Sequence, residues 1–213
     1  MLKALFSFYK IGIVNFVVIT GALGYGVGLQ VEDTFSIIHF LTFILGTFFI
    51  SSGSLSLNQL QEMDADSRMP RTQGRPLVSG MIKKEVGLMI SLGHIAVGSF
   101  CLYHVSMHTL LVGLAIIFLY NVCYTIYWKK NWAFAAVPGA IPGALPINMG
   151  YVATGASLFD RESIYLFLIM FLWQMPHFWT LAIKFKDDYA KGEFPVLPVV
   201  VGDQQTKFHI SLY

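Results

Sequence analysis

Long apolar stretches alternate with short polar segments along almost the whole sequence. Six of these stretches lie near residues 11–30, 36–57, 86–103, 109–127, 134–156 and 162–183. Each is close to the roughly 20 residues that a helix needs to cross about 30 Å of hydrocarbon. Because a segment inside a bilayer must satisfy its own backbone hydrogen bonds, the pattern predicts a helical bundle that crosses the membrane six times.

A seventh apolar stretch starts at Phe208 and runs to the last residue, Tyr213. We expect it to be the beginning of a further helix. The sequence therefore predicts an all-α, polytopic transmembrane bundle that is truncated after about six spans. It also predicts a single transmembrane domain over residues 1–213, incomplete at its C-terminus.

Composition supports an integral membrane protein. Hydrophobic residues make up 55% of the 213-residue chain and charged residues only 12%, whereas soluble domains carry roughly 25% charged residues. The formal net charge is only +2, and nothing in this composition favours a nucleic-acid partner. The partner that the composition does predict is the lipid bilayer.

The positions of the charges predict how the chain crosses the membrane. If the N-terminus is cytoplasmic, every Lys and Arg except Arg161 falls on the cytoplasmic side, and Glu32 and Asp33 fall on the opposite side. This arrangement agrees with the positive-inside rule. We expect a multi-pass protein of a bacterial-type cell membrane, or of the mitochondrial inner membrane if the source is eukaryotic.

A stripe of polar residues lies at the C-terminal end of the second predicted span. Asn58, Glu62 and Asp66 are spaced four residues apart, which places them on one face of a helix. Two carboxylates and an amide oxygen suit Mg²⁺. Arg71 and Arg75 follow at once, and guanidinium groups match phosphate oxygens. The stripe favours a magnesium-diphosphate site, and the alternative is an ordinary helix end with surface ion pairs.

A second acidic group follows the sixth span. Asp187 and Asp188 lie on the same predicted side as Asp66, with Lys184 nearby, and Lys129 ends the fourth span on that side. The two aspartates could hold a second Mg²⁺ on the same diphosphate, and the lysines could reach its oxygens. The alternatives are a solvated charged loop and positive-inside anchors, and which aspartate binds the metal is left open.

The sixth span also contains His177, flanked by Trp173. A histidine in a span is either a packing residue or a contact to substrate, and imidazole binds haem iron readily. Trp173 either packs against other helices or lines a path for an apolar chain. In the fifth span, the repeated Pro and Gly of PGAIPGALPINMG predict a helix with a small-residue packing face or a cavity wall.

Several of these stretches together resemble a known family. They are NQLQEMDADSRMPRTQGRPLVSG, YTIYWKK, PGAIPGALPINMGY and LWQMPHFWTLAIKFKDDY with the trailing FPVLPVVVG. The first resembles the Asp-rich motif of UbiA-type intramembrane prenyltransferases, and the others are similar to the protohaem IX farnesyltransferase (haem O synthase) group within them. The resemblance extends from about Gly21 to Gly202.

The resemblance implies a ring of nine transmembrane helices around a central cavity. It implies that Mg²⁺ and farnesyl diphosphate bind near the cytoplasmic surface, that protohaem IX is the second substrate, and that haem O is the product. It leaves room for contacts with other proteins of haem or cytochrome oxidase assembly. Carried over, it gives catalytic and metal roles to Asn58, Glu62, Asp66, Asp187 and Asp188, phosphate contacts to Arg71 and Arg75, and a haem-side position to His177.

The chain departs from the family pattern in three ways. Glu62 stands where Asp is usual, Met175 stands where Pro is common, and six spans with a fragment stand where nine are expected. Two other functions compete with this prediction. A related prenyltransferase with a quinone or lipid acceptor would share the metal-diphosphate half of the site. A transporter would instead use the intramembrane acids as an ion pathway.

Overall fold

The computed structural model describes residues 2–29 and 35–213, and every regular element in these ranges is a helix. This confirms the predicted all-α class. The end of the first predicted span at Gln30 and the Glu32–Asp33 loop lie outside the described residues. The helices in chain order are α1 (Leu2–Phe8), α2 (Ile11–Gly28), α3 (Ile37–Gln61), α4 (Met63–Arg68), α5 (Lys84–Val105), α6 (Met107–Ile117), a π-helix (Phe118–Trp128), α7 (Lys129–Asn131), α8 (Ala136–Ala153), α9 (Arg161–Lys184), α10 (Lys186–Lys191) and α11 (Leu197–Ser211).

Five of these helical segments are long and apolar enough to cross a membrane. They are α2, α3, α5, α9 and the continuous segment Met107–Asn131, which joins α6, the π-helix and α7. Each overlaps one predicted span almost completely. The fifth predicted span is also a helix, α8, but its prolines, glycines and one asparagine lower its hydropathy. Because 12 of its 18 residues are buried, α8 is the central helix of the bundle.

The last helix differs from its prediction. It begins at Leu197, well before the expected start at Phe208. The polar residues between these positions lower the hydropathy enough to conceal the helix in the sequence. Gly202, with a φ of 83° and a ψ of 170°, interrupts α11, and this positive φ is readily available only to glycine.

Helices α2 and α8 pack with almost no space between their backbones. A Cβ atom on Gly24 would lie 1.8 Å from the carbonyl oxygen of Ile147, and one on Gly150 would lie 1.9 Å from that of Gly21. The Thr154 hydroxyl donates to the carbonyl oxygen of Gly28 at 3.0 Å. The predicted small-residue face of the fifth span therefore exists, and it is the seam that holds α8 in the centre.

The two halves of the bundle are built differently. One half, which we call the far core, is a filled apolar cluster of Tyr25, Phe43, Ile50, Leu102, Met149 and Ala153. The other half ends in the basic side chains of Lys10, Arg71, Arg75 and Lys129, which line a cavity. We call this the basic end. The bundle is therefore packed at one end and hollow towards the other.

The seam between α2 and α8 can be tested with neighbouring glycines of α2. Gly24→Ala is expected to destabilise the protein by about 1–3 kcal/mol, because the added methyl forces the two helices apart. Gly26→Ala is the matched control, since a Cβ there would meet nothing within 4 Å. Thermal unfolding in detergent micelles measures both variants. Equal melting temperatures for the two would contradict this description of the seam.

Candidate active site

One cavity of about 420 Å³ opens within the bundle, between α2, α3, the π-helix, α8 and α9. Its lining is mostly apolar. The charged part lies at the basic end and consists of Lys10, Glu62, Asp66, Arg71, Arg75 and Lys129, next to the amide of Asn58, while Ser51, Ser54, Gln174 and His177 add polar groups elsewhere in the lining. A ligand that fills such a cavity would combine a charged, anionic head with an apolar tail.

The predicted Asn58–Glu62–Asp66 stripe lies in this cavity, although the helix that carries it is not continuous. Helix α3 ends at Gln61, Glu62 has a φ of −104° and a ψ of 7°, and α4 begins at Met63. The amide of Glu62 still donates to Asn58 at 3.0 Å and that of Asp66 to Glu62 at 2.8 Å. The four-residue spacing is thus preserved across the break, and all three side chains are buried.

Asn58 is held from two sides. Its Oδ1 accepts a hydrogen bond from Lys10 Nζ at 2.6 Å, and its Nδ2 donates to Thr125 Oγ1 at 3.0 Å. Sequence reasoning missed Lys10 as a site residue, because it was treated only as a basic flank of the first span. Burial, followed by the charges of Arg75 and Lys129, lowers the pKa of Lys10 to about 7.

Glu62 forms an ion pair with Lys129. Its Oε1 accepts from Lys129 Nζ at 2.6 Å, and both side chains are largely buried. Burial alone would raise the pKa of Glu62, but the charges of Lys129 and Lys10 outweigh it and hold this pKa below its usual range. The carboxylate therefore stays ionised. The glutamate that departs from the family pattern keeps its charge and its place in the cavity.

Asp66 is the most enclosed acid of the site. Its Oδ2 pairs with Arg75 Nη1, while its Oδ1 is buried with no hydrogen-bond partner among the residues that the structure describes. The hydroxyl of Thr72 donates to the backbone oxygen of Asp66 at 2.9 Å. This bond folds the loop after α4 back over the helix and so places Arg75 against Asp66.

The structure separates the two adjacent aspartates of the second motif. Asp188 is partly buried and lies 3.7 Å from Nε of Arg71, whose guanidinium also stacks on Phe185. Asp187 is exposed and does not line the cavity. Lys184 is exposed as well, with its Nζ 5.4 Å from the Phe185 ring centre. Of the two aspartates, Asp188 is the one joined to the cavity, through Arg71, and the next residue, Tyr189, lines the cavity itself.

The π-helix, which the sequence did not predict, turns aromatic side chains towards the site. Tyr120 and Tyr124 line the cavity, with their rings stacked 5.8 Å apart. Asn121 fixes the helix: it accepts from Ser54 Oγ at 2.5 Å, and its Nδ2 donates to the Ser54 carbonyl at 2.9 Å. Gln61 Nε2 donates to the Asn121 carbonyl at 3.1 Å. π-Helical segments are rare and often mark functional sites.

An aromatic stack on the outside of the bundle reaches the cavity through His177. His177 lines the cavity, is also exposed at the surface of the bundle, and stacks on Trp173 at 5.0 Å with a 12° angle between the rings. Trp173 lies outside the lining and stacks in turn on Phe16 of α2 at 5.9 Å. Met175, the second departure from the family pattern, is fully buried against Trp179 in the core.

The carboxylates fit a magnesium ion that shares its ligands with a substrate. Within residues 2–29 and 35–213, no group of three or more His, Cys, Asp or Glu side chains forms a complete metal cage. Mg²⁺ commonly binds one or two carboxylates and completes its shell with phosphate oxygens and water. The unpartnered Oδ1 of Asp66 is an available ligand for such an ion, and Glu62 lies one helical turn away.

Comparison with known proteins identifies the family of the chain. Residues 17–213 match the UbiA prenyltransferase family. The chain belongs to that family. Protoheme IX farnesyltransferase from Bdellovibrio bacteriovorus is 51% identical over 213 residues, covering all of this chain and 73% of the relative. Protoheme IX farnesyltransferase 1 from Lysinibacillus sphaericus is 36% identical over 220 residues, covering all of this chain and 70% of the relative.

Solved structures of UbiA proteins share the fold. A UbiA homologue from Archaeoglobus fulgidus bound to GPP and Mg²⁺ superposes with a TM-score of 0.77 at 18% identity, covering 98% of this chain and 73% of that one. A digeranylgeranylglyceryl phosphate synthase superposes with a TM-score of 0.77 at 19% identity, covering 99% of this chain and 72% of that one. At these identities the likeness establishes the UbiA fold.

A substitution tests whether the side chain of Asn121 holds the π-helix against α3. Asn121→Leu leaves the buried partners on α3 unpaired, so we expect a loss of about 1–3 kcal/mol in stability and weaker Mg²⁺-diphosphate binding. Asn131→Leu is the control, because the side chain of Asn131 bonds the exposed backbone of Tyr127 and not another helix. Thermal unfolding and calorimetric titration with diphosphate measure the two effects. Unchanged stability and binding in Asn121→Leu would show that the π-helix does not depend on this side chain.

Proposed function

We propose that this chain transfers the farnesyl group of farnesyl diphosphate to a vinyl group of protohaem IX and so forms haem O. The observation that carries the proposal is the cavity itself, in which basic side chains and an unpartnered carboxylate oxygen meet a long apolar chamber. The names of the relatives, protoheme IX farnesyltransferase, support the same reaction. In this proposal haem is a substrate and Mg²⁺ is the cofactor.

The basic end receives the diphosphate. Lys10, Arg71, Arg75 and Lys129 line the cavity there and supply positive charge and hydrogen-bond donors. Asn58, Glu62 and Asp66 would hold Mg²⁺ from one side, and Asp188 would contribute from the other. When bound, the ion neutralises charge that builds up on the leaving diphosphate. Three of the cations, Lys10, Arg71 and Arg75, also line a second opening of about 680 Å³ next to α1, which gives the diphosphate a route to water.

The reaction begins when the bond between the allylic carbon and the diphosphate oxygen breaks. The electron pair leaves with the diphosphate, and the fixed cations of the basic end stabilise it there without reorganising. The π electrons of the haem vinyl group then form the new carbon–carbon bond. Water adds its oxygen to the resulting porphyrin-side cation and releases a proton, which leaves a hydroxyl group on the product.

The apolar walls keep water away from the allylic cation until the vinyl group has reacted. Val17, Leu55 and Ile117 line the chamber beyond the carboxylates, and a dry site strengthens every charge interaction within it. The stacked rings of Tyr120 and Tyr124 face the same space. Aromatic faces attract cations, so these tyrosines are suited to stabilise the allylic cation.

The haem would approach at the stack of Phe16, Trp173 and His177. This surface is flat and aromatic, it is open at the side of the bundle, and His177 reaches from it into the cavity. A planar macrocycle can lie against such a stack, with the imidazole available to its iron. The charge distribution further supports a cytoplasmic N-terminus, so the basic end would face the cytoplasm.

A substitution of Asp66 tests the part of the proposal that concerns the binding of Mg²⁺ and diphosphate. Asp66→Asn is expected to abolish haem O formation, because it removes the charge that pairs with Arg75 and would bind Mg²⁺. The matched control is Asp64→Asn, which changes an exposed aspartate of the same short helix that pairs with Arg68 outside the cavity. The purified protein is incubated with Mg²⁺, haem and farnesyl diphosphate, and mass spectrometry detects the mass gain on haem. Haem O formation by well-expressed Asp66→Asn would sink the site assignment.

A substitution of His177 tests the part of the proposal that makes haem the acceptor. His177→Ala is expected to lose haem binding, seen as haem-dependent absorbance of the purified protein, while it still binds Mg²⁺ and farnesyl diphosphate. His104→Ala is the control, since His104 is an exposed histidine that contacts aromatic rings edge to face but lies outside the cavity. Normal haem absorbance in His177→Ala would remove this residue from the acceptor site. Transfer to a quinone but not to haem, in the unsubstituted protein, would favour the alternative acceptor.

A further inference from the structure

An apolar cluster lies behind the basic end and joins the segments that carry the two acidic motifs. Its buried members come from α4 and the residue after it, from α9, and from the segment after α10: Ala65, Met69, Ala182, Phe194 and Val196. We call this cluster the clasp. Phe194 begins the FPVLPVVVG stretch, to which the proposed reaction assigns no contact. The clasp therefore fixes the segment of Asp66 against the segment that follows Asp188.

The backbone between α10 and α11 folds tightly and so brings Phe194 into the clasp. The Phe194 amide donates to the carbonyl oxygen of Tyr189 at 2.9 Å. Glu193 has a φ of 60°, a left-handed conformation that is uncommon outside glycine. A Cβ atom on Gly192 would lie 2.9 Å from Met69 Sδ. This unusual turn lies directly against the end of α4 and leaves the Phe194 side chain buried.

The ring of Phe194 covers the cation of the Glu62 ion pair. Lys129 Nζ lies 4.5 Å from the ring centre and 2.6 Å from Glu62 Oε1. An aromatic face attracts a cation most strongly where water is excluded, and the Lys129 side chain is only 14% exposed. Because lysine has a long and flexible stem, the ring restricts the positions that the ammonium group can take.

Phe194 lies one layer behind the wall of the cavity. It does not line the cavity itself, whereas Met69 of the clasp does, together with Phe178 and Tyr189, which pack against the clasp. The Tyr189 ring meets that of Phe194 at 6.3 Å with an angle of 74° between them. Phe194 would therefore act on a bound ligand through its neighbours, and Lys129 is the charged one.

We propose that Phe194 is a positioning residue for the diphosphate. Its ring face orients the Lys129 ammonium group between Glu62 and the phosphate oxygens, and the clasp keeps the ring in that place. The proposal rests on the proposed function, because it assumes that a Mg²⁺-diphosphate binds at the basic end. It gives the FPVLPVVVG stretch a role in the affinity for the leaving group.

Loss of the aromatic face should weaken binding of the Mg²⁺-diphosphate head. Unreactive farnesyl thiolodiphosphate is titrated with Mg²⁺ into the purified chain in detergent micelles. Phe194→Leu is expected to lower its affinity by about tenfold, since leucine keeps the clasp apolar but removes the attraction between ring and ammonium. Phe43→Leu is the matched control, because Phe43 is a fully buried phenylalanine of the far core. It should lower the melting temperature and leave the affinity of the folded protein unchanged.

A double-mutant cycle shows whether Phe194 acts through Lys129. In a Lys129→Met background, Phe194→Leu is expected to cause no further loss of affinity, because no ammonium group is left for the ring to hold. Thermal unfolding checks that each variant is folded. An equal loss in both backgrounds would mean that the ring contributes packing alone, and this would overturn the inference. Unchanged affinity in folded Phe194→Leu would overturn it as well.

Fluorinated phenylalanines in place of Phe194 decide the question if Phe194→Leu does not fold. They keep the shape of the ring but withdraw electron density from its face, so the affinity should fall stepwise as fluorines are added. A constant affinity across the series overturns the inference. If the unsubstituted protein binds no Mg²⁺-diphosphate, the proposed function fails and the inference with it. Binding without haem O formation would contradict only the proposed acceptor.

Discussion

The buried charges at the basic end are the constraint on which the rest of the site depends. Removing a carboxylate from water is costly unless it is paired, and here Glu62 is paired with Lys129 and Asp66 with Arg75. The Glu62–Lys129 pair joins the break between α3 and α4 to the start of α7, and the Asp66–Arg75 pair holds the loop after α4 against that helix. Together with the hydrogen bond from Lys10 to Asn58, which ties in the start of α2, these contacts assemble the basic end around one cavity.

Much of the fold could be predicted because segments that cross a bilayer are recognisable in a sequence by their length and hydropathy. The positions of α2, α3, α5 and α9 follow from that signal alone. Helix α11 was missed at its start, since Gln and Asp residues dilute its apolar pattern. The π-helix could not be foreseen either, because it depends on a tertiary contact, the Asn121 amide against Ser54, and not on any local periodicity.

The candidate site was predictable where residues share one helix face and unpredictable where distant segments meet. The spacing of Asn58, Glu62 and Asp66 survives the break between α3 and α4 because the backbone hydrogen bonds continue through it. Lys10 carried no such signal, since a basic residue before a span is ordinary. Adjacent Asp187 and Asp188 could be told apart only through the position of Arg71, which comes from a different loop.

The far core has a consequence for the membrane as a whole. In the part of the chain that the structure describes, Tyr25, Phe43 and Leu102 fill the bundle on the side away from the basic end, so the cavity is closed behind that end. In the proposed reaction, charged groups would reach this cavity from the basic end or through the opening beside His177. A cavity that is closed behind its basic end would let the proposed ionisation take place within a membrane protein without opening a path for ions from one face to the other.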